Sequence, residues 1–163
     1  MKDIPDILDG LKRSPRVLAN LVATIPAERM GHRRGARCWT IAEHVCHLAE
    51  VQPMLTERLQ RFWDEPHPVF VPYIPGEGET EPDTPAVIPT DQALERFARC
   101  RDDQIGLLAD TDEATWQKSG SHPEYALYSF YILARHILMH DHWHMYRMEE
   151  LWLTRDAYLT TVT

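Results

Sequence analysis

The sequence predicts an all-α protein, an antiparallel four-helix bundle with a long proline-rich connection between its second and third helices. Three observations predict it. Four segments carry apolar residues at helical spacing. No segment shows a convincing strand pattern. Residues 65–89 hold seven prolines (Pro66, Pro68, Pro72, Pro75, Pro82, Pro85 and Pro89) together with GEGETE, a composition incompatible with a helix or a central strand. With 163 residues and 44% hydrophobic content, the chain can build one core but not two comfortable ones, so residues 1–163 read as a single domain.

The first helix is expected from about Asp6 to Ile25, with Ile7, Leu8, Leu11, Leu18, Leu21 and Val22 as its apolar stripe. Pro15 lies within it and removes a hydrogen bond, which predicts a kink or a division there. The basic turn GHRRGARC that follows reads as a solvated surface loop. Thr40 and Glu43, in TIAE, form a capping box that opens the second helix, and Ile41, Val45, Leu48, Leu55, Leu59 and Phe62 carry it to about Trp63. Pro53 predicts a bend near its middle. The proline-rich segment is too long for an ordinary connection, which suggests a lid beside a site, anchored by Phe70, Tyr73 and Ile74. A third helix is expected from Thr90 to about Leu108, and a fourth from just after His122-Pro123 to about Trp152, roughly 45 Å long.

Composition narrows the partners. Seventeen basic against 25 acidic residues give a formal charge of −8, which opposes binding to phosphate backbones or anionic lipid. Nucleic acid and membrane are therefore not expected. Cys38, Cys46 and Cys100 are odd in number and lack CxxC spacing, so neither a disulfide framework nor a zinc ribbon is indicated. No apolar run resembles a signal peptide or a membrane span, and the expected location is cytoplasmic.

The chemistry resides in the histidines. Histidines four apart on a helix lie about 40° apart around its axis, so both can aim a ring nitrogen at one point. His136, His140 and His144 form such a line, and one histidine from a facing helix would complete a three-nitrogen metal site with a position open for water or substrate. His47, at the edge of its apolar stripe, suits that role better than His44, which lies nearer the middle of the stripe and reads as a satisfied core histidine. His142 points some 160° from His140 and reads as surface. Spacing alone does not choose between the pairs 136/140 and 140/144. Glu43, one turn before His47, is a candidate general base, although its capping role already accounts for it. Glu50 could orient a ligand ring but reads more simply as a solvated charge. Tyr128, Tyr131, Trp143 and Tyr146 either line the cavity or, as is favoured, pack the bundle, and Cys46 projects away from His47.

WTIAEHVCHLAEV on the second helix and HILMHDHWHMYRMEEL on the last resemble the DinB-like/YfiT-like superfamily of four-helix metal-binding proteins. The resemblance spans nearly the whole chain. It maps the superfamily's metal ligands onto His47, His140 and His144, with Asp141 as the acidic neighbour, and leaves His136 to helix packing. Members commonly carry glutamine three residues after the last histidine, where this chain has Arg147. The resemblance implies a divalent metal, zinc or nickel, and a homodimer through the first helix or the proline-rich segment. Some members transfer groups to a low-molecular-weight thiol such as bacillithiol, mycothiol or glutathione, and one is a mycothiol-dependent isomerase. The expected function is thus that of a metal-dependent transferase working with such a thiol, or a metal-dependent hydrolase, on a small-molecule substrate. The alternative is a non-catalytic bundle that binds metal or ligand as a sensor or dimerisation module.

Overall fold

The apolar stripe of the first segment folds as α1, Ile4–Thr24, which buries Ile7, Leu11, Ser14 and Leu18 on one face of a computed structural model that describes residues 2–35, 38–72 and 86–160. Pro15 does not divide it. Buried neighbours on both sides, Ser14 and Leu18, hold the helix together across the missing hydrogen bond. A short helix, α2 (Ala27–Met30), leads to α3 (Ile41–Glu50), opened by the predicted capping box. The Thr40 side chain accepts from the Glu43 amide at 3.2 Å, and the Glu43 carboxylate accepts from the Thr40 amide at 2.6 Å. At Val51 the rod bends into α4 (Gln52–Asp64), with Pro53 in its first turn, where a missing N–H is tolerated.

The remaining long helices are α5 (Thr90–Ala109) and α7 (Phe130–Leu153). α1 and the α3–α4 rod each pack on both α5 and α7, so the two helices adjacent in sequence lie across the bundle from one another. His47 on α3 consequently faces α7. Apolar packing forms two clusters, one around Leu11, Leu59, Phe62 and Phe130 and the other around Leu18, Val45, Leu48, Phe97 and Met148.

The structure corrects the fourth helix. Between α6 (Glu113–Trp116) and α7 lies a β-hairpin, β1 (Ser119–His122) and β2 (Tyr125–Ser129), with a bulge in the register between Gly120 and His122. The helix begins only at Ser129, whose side chain accepts from the Ile132 amide, so its 24 residues span roughly 36 Å rather than 45 Å. β1 also docks the start of the proline-rich connection. The Phe70 amide donates to the Ser121 carbonyl at 2.8 Å, and Ser121 returns a bond to Pro68 at 2.9 Å. Gly120 permits that approach, since a Cβ there would stand 2.8 Å from the Pro68 carbonyl oxygen. Phe70 is fully buried against Phe62 and Tyr128, the anchor expected of it. Tyr73, Ile74 and the lid expectation lie outside the described residues. No helix among the described residues is long and apolar enough to cross a membrane.

The basic turn is also more than solvated surface. The Arg34 side chain is 7% exposed and donates to the Leu151 carbonyl at 2.8 Å, closing the end of α7 while pairing with Asp156.

Candidate metal centre

The capping box fixes where α3 starts, and His47 stands two turns further on, facing the middle of α7. His47 Nε2 lies 3.3 Å from His140 Nε2, and His144 Nε2 lies 3.2 Å from the same atom. The ligand atoms of the three residues all fall within 4.8 Å of one another. His136 stands outside this group. Its Nδ1 is 3.3 Å from the Tyr125 hydroxyl on β2, and its ring stacks 6.3 Å from that of His140.

Aromatic rings surround the cluster. Trp39 packs against His47 at 4.9 Å between centroids and lies nearly parallel to His144 at 6.0 Å. Trp143 meets the His144 ring edge-on at 4.7 Å and remains 47% exposed, so the rim is open to solvent there. Of the aromatics that either line the cavity or pack the bundle, Tyr128 packs beside Phe62, Tyr131 donates to Asp3 at 2.6 Å, Trp143 borders the cluster, and Tyr146 is exposed on α7. Glu50 and His142 are exposed.

Burial sets the electrostatics. Loss of water pushes the imidazole pKa of His47 down to about 4, and that of His140 down to about 3. His144, buried with three other rings around it, is pushed lower still. All are neutral at pH 7, the form in which imidazole binds a metal.

Glu43 has both carboxylate oxygens engaged. One accepts from the Thr40 amide, and the other pairs with Arg33. Arg147 is buried and paired with Glu150, which also accepts from the Thr160 amide at 2.7 Å. The Cys46 thiol donates to the Ile88 carbonyl at 3.5 Å, and burial pushes its pKa up. Neither Cys38 nor Cys100 joins the cluster.

His44 is the satisfied core histidine expected of it, but its contact with a ring of the cluster was not legible in the sequence. It is buried, and its Nδ1 lies 2.8 Å from His144 Nδ1. Burial, with Arg147 nearby, holds its pKa at about 3. The available signal was its position three residues before His47, one turn away on the same side of the helix.

The family model of the DinB superfamily matches residues 11–154. Among solved structures, YfiT from Bacillus subtilis, described as a probable metal-dependent hydrolase with an unusual four-helix bundle topology, superposes with a TM-score of 0.77 at 18% identity, covering 93% of this chain and 86% of that one. At that identity the likeness speaks for the fold alone. No curated protein matches the chain.

Proposed function

Because the chain belongs to the DinB superfamily, we propose that His47, His140 and His144 hold one divalent ion and that the protein is a metal-dependent hydrolase of a small molecule. One observation carries the reading, the convergence of three neutral Nε2 atoms. In a tetrahedral site with metal–nitrogen bonds of about 2.0–2.1 Å, ligand nitrogens stand about 3.3 Å apart. The separations from His140 are 3.3 and 3.2 Å, and all three ligand atoms lie within 4.8 Å of one another. Each pair of neutral ring nitrogens can share at most one proton, so hydrogen bonds among the three leave lone-pair capacity unused, whereas a cation takes all three lone pairs. Zinc and nickel both suit such a nitrogen set.

A divalent ion in this position supplies Lewis-acid polarisation of a substrate group and eases deprotonation of an incoming nucleophile. The chain's residues do the rest. Trp39 walls the cluster, the half-exposed Trp143 borders its rim, and the buried rings keep their nitrogens neutral. No cysteine of the chain joins the cluster, so the nucleophile comes from outside. Water makes the protein a hydrolase, the description given to YfiT. A low-molecular-weight thiol makes it a transferase, and the same lack of a protein nucleophile supports that second reading. A bundle that only stores or senses metal is the third outcome.

The test is elemental analysis of purified protein, followed by assay of the metal-loaded form against ester, amide and electrophilic substrates, each with and without bacillithiol, mycothiol or glutathione. Thiol-independent hydrolysis supports the first reading, and strict thiol dependence supports the second. Full metal occupancy with no turnover on any substrate supports the binding protein. Absence of metal from the wild-type protein rejects all three.

A further inference from the structure

We propose that His44 is a positioning residue for His144, accepting on its Nδ1 the proton that His144 carries on its own Nδ1. The inference rests on the metal-centre reading and deepens it.

A neutral imidazole has one proton and two nitrogens, so two rings that meet nitrogen to nitrogen must share one proton between them. The His44 and His144 Nδ1 atoms are 2.8 Å apart, a full hydrogen bond. The opposite nitrogen of His144, Nε2, lies in the cluster 3.2 Å from His140 Nε2. If Nε2 gives its lone pair to a metal, the His144 proton resides on Nδ1. His44 Nδ1 is then the acceptor, and the proton of His44 is left on Nε2. The metal-centre reading thereby fixes the tautomer of both rings.

His44 is well held for this task. It is 4% exposed, and its backbone amide donates to Thr40 in the first turn of α3, inside the capping box. Trp39 packs 5.3 Å from its ring, and Trp143 meets it edge-on at 6.2 Å. α3 therefore supplies two histidines to the centre in different roles, His47 toward the shared point and His44 behind His144 of α7. Metal-bound histidines usually donate their second N–H to a carboxylate or a carbonyl. A neutral imidazole orients the ring equally well without adding negative charge, so the centre keeps the full positive charge of its ion.

The experiment uses zinc-loaded protein labelled with ¹⁵N at histidine. Long-range proton–nitrogen spectra are expected to show His144 protonated at Nδ1 and His44 at Nε2, with a scalar coupling across the Nδ1–H···Nδ1 bond. Competition titration with a chelator is expected to show zinc binding about 10–100-fold weaker in His44→Phe. His44→Asn, whose side-chain oxygen takes the place of Nδ1, is expected to recover most of that loss. Unfolding of the metal-free variants, measured alongside, separates damage to the fold from loss of orientation. Wild-type zinc affinity in a folded His44→Phe, or zinc on the Nδ1 of His144, overturns the inference. So does a folded His44→Asn that binds no better than His44→Phe. Failure of the underlying reading has a different signature: His140→Ala would then bind zinc as tightly as the wild type.

Discussion

Two of the polar groups buried among the described residues of this bundle are built on opposite principles. One is a layer through its middle. Ser14 lies between Leu11 and Leu18 on α1, Gln52 between Leu48 and Leu55, Arg101 and Gln104 between Phe97 and Leu108 on α5, and Asp141 between Ile137 and Met145 on α7, so the layer separates the two apolar clusters. Its members pair donor with acceptor, although Arg101 Nε and Nη1 and Gln104 Oε1 find no partner among the described residues. Asp141 accepts from Ser14 at 2.6 Å and pairs with Arg101 at 2.9 Å, and Arg101 also donates to Gln52 at 3.2 Å. The other group is the histidine cluster, in which like faces like. Three of its ring nitrogens crowd together, and each neighbouring pair can share at most one proton. The layer joins all the long helices in one register, and the cluster gathers three histidines that could hold a metal.

Acid should separate the two most strongly. In metal-free protein the histidines of the cluster stay neutral down to about pH 4 for His47 and about pH 3 for His44 and His140, while in the unfolded chain they protonate near 6.5. The unfolded state therefore binds more protons, and stability falls as pH drops below 6.5, by about 1.4 kcal/mol per pH unit for each histidine. It is fully present above 6.5 and lost as pH falls through the depressed values. Burial shifts Asp141 the other way, upward, so the layer does not produce this slope. Urea unfolding of chelated protein between about pH 7 and pH 4.5 is the measurement. A flat profile would mean that the rings are hydrated. The extra stability from bound metal should persist to about pH 4, because protons compete for His47 only there.

Next in size is the layer itself. Asp141→Ala leaves the Arg101 guanidinium buried and unpaired, and breaking such a pair costs about 3–5 kcal/mol. Replacing both residues together with apolar ones of similar volume should restore most of that stability. If the double replacement is as unstable as the single one, hydrogen bonding to Ser14 and Gln52, rather than the ion pair, sustains the layer.

The comparison also shows what the sequence could reveal. Helical periodicity located all four long helices, and the TIAE capping box placed the start of α3 to the residue. The hairpin escaped because its apolar residues give no core-facing alternation: Leu127 is 78% exposed, and only His122 and Tyr128 turn inward. Histidines four apart disclosed the cluster, since a metal site repeats one residue type at helical spacing. The layer disclosed nothing of the kind. Its serine, glutamines, arginine and aspartate are ordinary surface residues taken singly, and their partnership spans 127 positions between Ser14 and Asp141. His44 is the buried, hydrogen-bonded histidine expected, and its partner stayed hidden for a related reason. Spacing gives the direction of a side chain, but not which nitrogen meets which across a helix interface.

A smaller effect tests the ligand set. His47→Ala, His140→Ala and His144→Ala should each weaken metal binding at least about tenfold, equivalent to about 1.4 kcal/mol, while leaving the layer and its stability contribution in place. His136→Ala should bind as the wild type does, since that ring bonds to Tyr125 instead. Calorimetric titration with zinc and nickel settles both points. Equal weakening by His136→Ala would move the site one turn along α7.

The smallest effect concerns Glu43, which borders the cluster in sequence but belongs to the scaffold in structure. A general base needs an oxygen free to approach the proton it removes. Both oxygens of Glu43 are committed, one to the Thr40 amide at 2.6 Å and the other to Arg33. Glu43→Gln retains a carbonyl oxygen for the Thr40 amide and loses only the ion pair, so the expected cost is under about 1 kcal/mol. Metal affinity should not change, because α3 still starts at Thr40 and still delivers His47 to the same point. Thermal unfolding and metal titration of this variant check the two statements. If turnover on a substrate found by the screen collapses in Glu43→Gln while metal content holds, the carboxylate leaves its cap during the reaction, and the division between scaffold and site must be redrawn at that residue.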